Sequence, residues 1–140
     1  RTRPVIRSSE HLFLDLTKLQ PALETFVGEQ SVAGDWSANS TSISQAWLHE
    51  GLKPRCMTRD LRWGTPVPVE GFEEKVFYVW FDACFGYISI TANYTDGPYE
   101  ADKPQDQQLW RQWWQNPQQV KLYQFMGKDN VPFHTVIFPG

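Results

Sequence analysis

Residues 75–94, KVFYVWFDACFGYISITANY, contain the sharpest change of pattern in the chain. Residues 75–81 form a continuous apolar run bounded by charge, which is typical of a strand covered on both faces. Behind Asp82, a candidate helix N-cap, Ala83 and Tyr87 lie four residues apart and indicate the start of a helix. A covered strand leading into a helix is typical of α/β proteins, whose parallel strands are joined by crossovers.

A similar unit follows near the end of the sequence. VKLYQFM, residues 120–126, is a second predicted buried strand. NVPFHTVIF, residues 130–138, is a predicted helix with Pro132 in its first turn. Together the two units predict an α/β fold with a parallel sheet and crossover helices for the second half of the chain.

Two features separate these units. Residues 97–108 are polar, with two prolines and many acids and amides, and we interpret them as a surface insertion. QLWRQWWQNP, residues 108–117, places three tryptophans on one helical face, at Trp110, Trp113 and Trp114. We interpret this stripe as helix packing rather than as a platform for a ligand.

The first half of the chain predicts helices and a hairpin without evident reaction chemistry. HLFLDL, residues 11–16, alternates like a short strand. TKLQPALETFVG, residues 17–28, has helical spacing, with Pro21 in the first turn and Gly28 as the stop.

A second helix and a turn-rich segment complete the first half. Ser42-Ile43-Ser44-Gln45 has the pattern of a capping box, and Gly51 is the predicted end of that helix. Residues 62–71, RWGTPVPVEG, are punctuated by glycine and proline and favour turns and an edge strand.

Composition excludes several classes of protein. The chain has 140 residues, enough for one domain or one lobe of a larger protein, and its formal net charge is −3, so it has no electrostatic footprint for nucleic acid. Its apolar runs are shorter than the roughly 20 residues of a membrane helix. Cys56 and Cys84 are too few and too far apart for a metal knuckle, which favours reduced thiols in the cytoplasm. The start RTRPVIRSSE lacks a methionine, and we expect the chain to be a partial piece.

Polar and small side chains follow both predicted buried strands. Because ligands bind at the carboxyl ends of parallel strands, we expect these residues to share one crevice. The first set is Asp82, Ala83, Cys84, Gly86 and Tyr87, and the second is Gly127, Lys128, Asp129, Asn130 and His134.

The three residues after the second strand each have two interpretations. Asp129 is either a helix N-cap or a carboxylate that holds the vicinal hydroxyls of a ribose. Gly127 either forms a turn or lets a flat ligand lie against the backbone. Lys128 is either solvated or faces a phosphate.

The aromatic residues and the histidine also have two interpretations. His134 is an ordinary helix residue or, four residues after Asn130, points into the crevice. Trp80 and Tyr87 are core rings or, together with Phe133, walls of a pocket that suits a polarizable thioether.

Three segments together resemble the methionyl-tRNA synthetases, in the form found in the eukaryotic cytosol. They are GLKPRCMTRDLRWGTPVP (51–68), KVFYVWFDACFGYISITANYTD (75–96) and LYQFMGKDNVPFHTVIFPG (122–140). RPVIRSSEHLFLDLTKL, residues 3–19, resembles the segment leaving that family's connective insertion. The resemblance covers nearly the whole chain.

The resemblance implies a fold and an activity. The family's catalytic domain is a class I Rossmann-like parallel sheet split by the connective insertion. Residues 1–72 would be the end of that insertion and the return to the domain, and residues 73–140 the C-terminal half of the core. The family joins methionine to ATP, with Mg²⁺ in the parent enzyme, and transfers the methionyl group to tRNA(Met).

The resemblance also implies roles for individual residues. The predicted methionine-binding residues are Trp80, Ala83, Cys84, Tyr87, Asn130 and His134. The predicted ATP-binding residues are Gly127, Lys128 and Asp129.

Departures from the family set limits on these expectations. The His-Ile-Gly-His and Lys-Met-Ser-Lys-Ser signatures are absent from the 140 residues, so we expect no complete catalytic set and no activity from this piece alone. We expect no metal site, because the family's zinc ligands would lie upstream. Cys84 stands where Pro, Thr or Ala is commoner in the family. An alternative is a stand-alone module that kept the small-molecule pocket and lost catalysis, and a third is a purely structural or misassigned exon product.

Overall fold

A computed structural model describes residues 3–97 and 108–140. The helices α1 (Leu16–Ala33) and α2 (Ala38–His49) come first, after the strand β1 (Phe13–Leu14). The strands β2 (Arg55–Cys56), β3 (Thr58–Arg59) and β4 (Val76–Phe77) follow. The short helix α3 (Val79–Asp82), the helix α4 (Phe85–Thr95) and the short helix α5 (Arg111–Trp114) come next. A 3-10 turn (Lys128–Asn130) and a π-helical segment (Phe133–Ile137) end the chain.

Helix α1 begins one residue before the predicted stretch and continues beyond its predicted stop. Asp15 is the N-cap and accepts a hydrogen bond from the backbone N–H of Thr17. The side-chain hydrogen bond from Thr17 is the main reason that the pKa of Asp15 lies below its usual range. The helix passes Gly28 and ends at Ala33, and the N–H of its C-cap Gly34 bonds to the carbonyl of Gln30. Gly28 is therefore not the stop, because the loss of about 1 kcal/mol in helix propensity at one glycine is overridden by packing.

The positions of Pro21 and of the second helix start also differ from prediction. Pro21 lies in the second turn of α1, since the helix begins at Leu16. Helix α2 starts at Ala38, and its cap is Ser37, which accepts from the N–H of Ser40 at 3.2 Å. The predicted capping box at residues 42–45 is therefore wrong, because an earlier serine already caps the helix.

The hydrophobic core lies between α1, α2 and the π-helical segment. Val136, with no exposed surface, brings the end of the chain into this core. Its buried apolar members are Leu16, Leu23, Val27, Leu48, Leu52 and Val136.

Two short antiparallel sheets replace the predicted parallel sheet in the part of the chain that the structure describes. Strand β1 pairs with β2, with Phe13 opposite Cys56. Strand β3 pairs with β4, with Thr58 opposite Phe77, and Pro66 adds an isolated bridge to Val76 on the other side of β4. The predicted edge-strand character of residues 62–71 agrees with this bridge.

The predictions of a buried strand at residues 75–81 and at residues 120–126 are both wrong. Only Val76 and Phe77 of residues 75–81 are extended into a strand, and α3 begins at Val79. Residues 120–126 form no strand, and three of their side chains are largely exposed: Leu122 at 56%, Tyr123 at 69% and Phe125 at 96%. A continuous apolar run does not distinguish a strand from a helix, and a covered strand needs neighbours on both sides.

The remaining predictions concern the segment after α4. Residues 98–107 lie outside the described residues, so the surface insertion stays a prediction. The flanking residues are close, because the carboxylate of Asp96 accepts from the N–H of Leu109 at 2.8 Å. The tryptophan stripe does not pack as a unit: the indole N–H of Trp114 donates to Thr91 at 2.9 Å, whereas Trp113 is 57% exposed.

Gly64 and Gly28 offer a matched pair of glycine replacements. Gly64 has φ +150°, and a Cβ there would lie 2.9 Å from the Cβ of Val76, so we expect Gly64→Ala to destabilise the fold by about 1–3 kcal/mol. Gly28 lies within α1, and a Cβ added there would meet no atom of the described residues within 4 Å outside the helix's own backbone. Gly28→Ala should therefore stabilise the fold by about 0.5–1 kcal/mol. Thermal unfolding midpoints of the two variants should shift in opposite directions, and a shift in the same direction would contradict the assigned backbone geometry.

Candidate functional site

The two predicted sets of site residues meet through Tyr87 and His134, at helices rather than at the ends of a sheet. The ring of Trp80, in α3, stacks on the ring of Phe133, with centroids 4.8 Å apart and planes at 25°. The thiol of Cys84 lies 3.7 Å from the backbone carbonyl oxygen of Phe133. The π-helical segment thus contacts the turn between α3 and α4 directly.

The contact between Tyr87 and His134 fixes two more candidate residues. The Tyr87 hydroxyl lies 2.9 Å from Nε2 of His134, and Nδ1 of His134 lies 2.8 Å from the carbonyl oxygen of Asn130. A carbonyl only accepts, so in the neutral ring Nδ1 carries the hydrogen and Nε2 accepts from the Tyr87 hydroxyl. Both lone-pair and donor positions of the imidazole are then occupied, which suits a wall of a binding site better than a free general base.

The remaining methionine-site candidates are placed differently. Asn130 contributes its backbone carbonyl to His134 and is itself half-buried. Ala83 is exposed at the end of α3, and its N–H bonds to the carbonyl of Val79. Ala83 therefore lies on the rim of the cluster.

The predicted ATP-binding residues form an exposed turn directly before this cluster. Gly127 is extended, with φ −68° and ψ 152°, and occupies the cap position of the 3-10 turn. Lys128 and Asp129 are exposed, and Asp129 is at neither cap position of the two helical segments that follow Gly127. The N-cap interpretation of Asp129 is therefore not supported, and its carboxylate is accessible to a ligand.

Two cavities lined by residues that the structure describes lie beside the cluster rather than at its centre. The larger, of about 600 Å³, is lined by parts of α1, residues 122–124, Met126 and the π-helical segment, including His134. The smaller, of about 320 Å³, includes Tyr87 and Trp114 in its lining. Trp80 and Cys84 line neither cavity. The direct side-chain contacts therefore define the candidate site better than the cavities do.

Burial determines the chemical state of the Cys84 thiol. The residue is 6% exposed, and burial raises the pKa of its thiol. A buried neutral thiol is a poor nucleophile, so the environment favours a packing role for Cys84.

This burial predicts a difference in reactivity between the two cysteines. Cys56 is half-buried, and its thiol lies 3.4 Å from the carbonyl oxygen of Thr58. At pH 8 we expect iodoacetamide to label Cys56 at least about ten times faster than Cys84, because only an accessible thiolate reacts. The raised pKa also predicts that labelling of Cys84 increases as the pH rises further. Peptide mass spectrometry over time measures both rates, and equal rates would contradict the burial of Cys84.

Phe133 is the site residue that the sequence predicts only in part. It joins the cluster twice, through its ring to Trp80 and through its carbonyl to Cys84. The sequence offered Phe133 as a pocket wall beside Trp80 and Tyr87, but it did not predict the contact of its carbonyl with Cys84.

The structure gives no candidate metal centre within residues 3–97 and 108–140, where no group of three or more His, Cys, Asp or Glu side chains converges. The helices in these ranges are also too short or too polar to cross a membrane.

The chain is similar over its whole length to one family of known proteins. A family model described as tRNA synthetases class I (M) matches residues 1–140. The chain is 62% identical over 140 residues to the "Probable methionine--tRNA ligase, cytoplasmic" of Schizosaccharomyces pombe, covering 100% of the chain and 16% of that protein. It is 59% identical over 139 residues to the human "Methionine--tRNA ligase, cytoplasmic", covering 99% of the chain and 14% of that protein. The Saccharomyces cerevisiae protein of that name is 56% identical over 137 residues, covering 98% of the chain and 17% of its own length. The chain thus spans about one sixth of the length of these curated relatives.

Proposed function

The chain belongs to the class I tRNA synthetases (M), and we propose that it is part of a cytoplasmic enzyme that activates methionine with ATP and transfers it to tRNA(Met). The observation that carries this proposal is the contact between residues 80–87 and residues 133–134, which joins Trp80 to Phe133 and Tyr87 to His134. Aromatic side chains of this kind make favourable contacts with the sulfur of a thioether side chain.

Methionine recognition rests on the aromatic walls. Stacked Trp80 and Phe133 offer ring faces and edges, where a sulfur contact contributes about 0.3–1.5 kcal/mol. The Tyr87–His134 hydrogen bond holds two further rings at a fixed angle of 40°. Each methylene of the ligand that fills such a pocket contributes about 1–3 kcal/mol of discrimination against shorter amino acids. Ala83 and Asn130 complete the rim, and the buried Cys84 packs against Phe133.

ATP recognition rests on the exposed turn. In this proposal, Asp129 accepts hydrogen bonds from the ribose hydroxyls, and Gly127 allows the adenosine to approach the backbone. Lys128 faces a phosphate. The turn includes Asn130 and precedes His134 closely in the chain, so the two ligands would bind side by side.

The reaction requires alignment of these two ligands. A methionine carboxylate oxygen attacks the α-phosphorus of ATP, the bond between the α- and β-phosphates breaks, and methionyl-adenylate and pyrophosphate form. The residues of this chain would hold the methionine side chain and the ribose, which fixes the reacting groups relative to each other. Mg²⁺ accompanies ATP as a counter-charge to its phosphates, and we assign no residue of this chain to the ion.

The exposed segment 120–126 supports a place for this chain within a larger sheet. Leu122, Tyr123 and Phe125 are apolar and exposed, and the segment is without strand partners among the residues that the structure describes. We propose that the remainder of the catalytic domain covers these side chains and completes the Rossmann-like parallel sheet. Residues 1–72 would then lead out of the connective insertion, and residues 73–140 would form the C-terminal half of the core. Open apolar edges also predict self-association of the isolated chain.

An assay of methionine-dependent ATP–pyrophosphate exchange tests the proposed function. We expect the full-length protein to catalyse exchange and the isolated 140-residue chain to show none, because the donors that stabilise the reacting phosphates lie outside this chain. The same assay with the isolated chain added to the active full-length protein controls for inhibitors in the preparation. Exchange by the isolated chain would show that the assignment of the missing parts is wrong, and a full-length protein without exchange would overturn the function.

A further inference from the structure

A buried pair of hydroxyl groups links α2 to the π-helical segment. The side-chain oxygens of Ser44 and Thr135 lie 2.8 Å apart, although the residues are separated by 91 positions in the chain. Ser44 has no exposed surface, and Thr135 is 7% exposed. A polar contact this deep between distant segments sets one arrangement of the two elements.

The hydrogens available to this pair are limited. Ser44 also lies 2.8 Å from the carbonyl oxygen of Ser40, and Thr135 lies 2.9 Å from the carbonyl oxygen of Val131. Three oxygen–oxygen contacts therefore share two hydroxyl hydrogens, since each hydroxyl donates once. Loss of either hydroxyl leaves the other with a backbone acceptor, so a single replacement removes the link without leaving a buried donor unpaired.

The link holds the residue next to a site residue. Thr135 bonds to α2, while its neighbour His134 bonds to Tyr87 in α4 at 2.9 Å. Consecutive residues of one helical turn are thus fixed to two different helices. The turn is wide, with Phe138 N–H bonding five residues back to the Phe133 carbonyl at 3.0 Å, and such π-helical turns are frequent at functional sites.

We propose that the Ser44–Thr135 pair is a positioning latch that sets the angle of His134 against Tyr87 in the methionine pocket. This inference rests on the proposed function, because it assigns Ser44 and Thr135 a role in methionine binding. In this proposal both residues act through the π-helical segment, and Thr135 also lines the larger cavity together with His134. Ser44 lies in the first half of the chain, so the latch also makes α2 a support for the site.

Enzyme kinetics of the full-length protein test the latch. Ser44→Ala and the isosteric Thr135→Val should each raise KM for methionine about five- to tenfold, as expected for loss of one hydrogen bond near 1 kcal/mol, with KM for ATP within about twofold of wild type. The swapped double variant Ser44→Thr/Thr135→Ser keeps both hydroxyls and the same number of atoms, and it should recover KM for methionine to within about threefold. Ser31→Ala removes an exposed helical hydroxyl that lies 3.2 Å from the Gly28 carbonyl oxygen and should change neither constant.

Three outcomes would overturn the latch. If the single variants of Ser44 and Thr135 have lower melting temperatures but an unchanged KM for methionine, the pair is a purely structural contact. No recovery in the swapped variant would show that the hydroxyl contact is not responsible. If His134→Ala also leaves KM for methionine unchanged, the proposed function of the site fails together with the latch; if only His134→Ala raises it, the latch alone fails.

Discussion

Replacement of Asp129 by alanine in the full-length protein should lower kcat/KM for ATP by at least about 100-fold, equivalent to about 2.7 kcal/mol of transition-state stabilisation. Asp129 is exposed on the turn after Gly127, where its carboxylate is free of a capping role and accessible to ligand hydroxyls. A hydrogen bond to a charged group contributes about 1.5–3 kcal/mol, and a ribose offers two vicinal hydroxyls. The initial rate of ATP–pyrophosphate exchange at varied ATP measures the effect.

Two variants control for the loss of a carboxylate. Asp129→Asn keeps the shape and loses the charge, so its kcat/KM should lie between those of the wild type and Asp129→Ala. Glu29→Ala removes an exposed acid from α1, far along the chain from the turn, and should remain within about twofold of the wild type. An Asp129→Ala enzyme within twofold of the wild type would eliminate Asp129 from the ATP site.

Replacement of Trp80 by alanine should raise KM for methionine by about 100-fold, with a smaller increase in KM for ATP. The replacement removes a ring stacked on Phe133 with centroids 4.8 Å apart, and with it one wall of the pocket. Loss of a large aromatic contact costs about 3–5 kcal/mol in a fully buried setting, and Trp80 is 38% exposed, which places the effect at the lower end or below. His134→Ala should raise KM for methionine in the same direction, because Tyr87 loses the acceptor of its hydroxyl hydrogen.

Trp63→Ala is the matched control for Trp80→Ala. Trp63 is 91% exposed and belongs to the loop before Gly64, outside the cluster. We expect its replacement to leave KM for methionine within about twofold of the wild type, as for most surface substitutions. Equal increases for Trp63→Ala and Trp80→Ala would indicate a general loss of structure, and no increase for Trp80→Ala would remove this ring from the pocket.

The sequence predicts the helices well where local signals are sufficient. Helices α1, α2 and α4 follow from their apolar spacing, but their starts differ from prediction. Asp15 and Ser37 cap α1 and α2. The predicted N-cap Asp82 is wrong, because Asp82 ends α3 and α4 begins after Cys84 without a side-chain cap. The strands are predicted poorly because a strand is stable only with partners. Residues 120–126 have the composition of a buried strand, but their neighbours are not fixed by their own sequence.

The prediction of one shared crevice agrees with the structure in part, and the roles of its residues stay predictions. Residue types and the family resemblance bring the clusters around Trp80 and Asp129 together, and the structure places the first cluster against Phe133 and His134. The prediction assumed that strand ends meet at one sheet edge, whereas the contacts lie between short helices. The sequence does not predict the Ser44–Thr135 contact, because two common residues 91 positions apart carry no local signal of their pairing.

A crystal structure of the full-length protein with methionine and a non-hydrolysable ATP analogue would show directly whether both ligands bind at these residues. We expect the methionine sulfur about 5 Å from the rings of Trp80 and Phe133, and the ribose hydroxyls about 3 Å from the carboxylate of Asp129. Methionine or ribose bound away from these residues, with the Trp80–Phe133 and Tyr87–His134 contacts intact, would contradict this expectation.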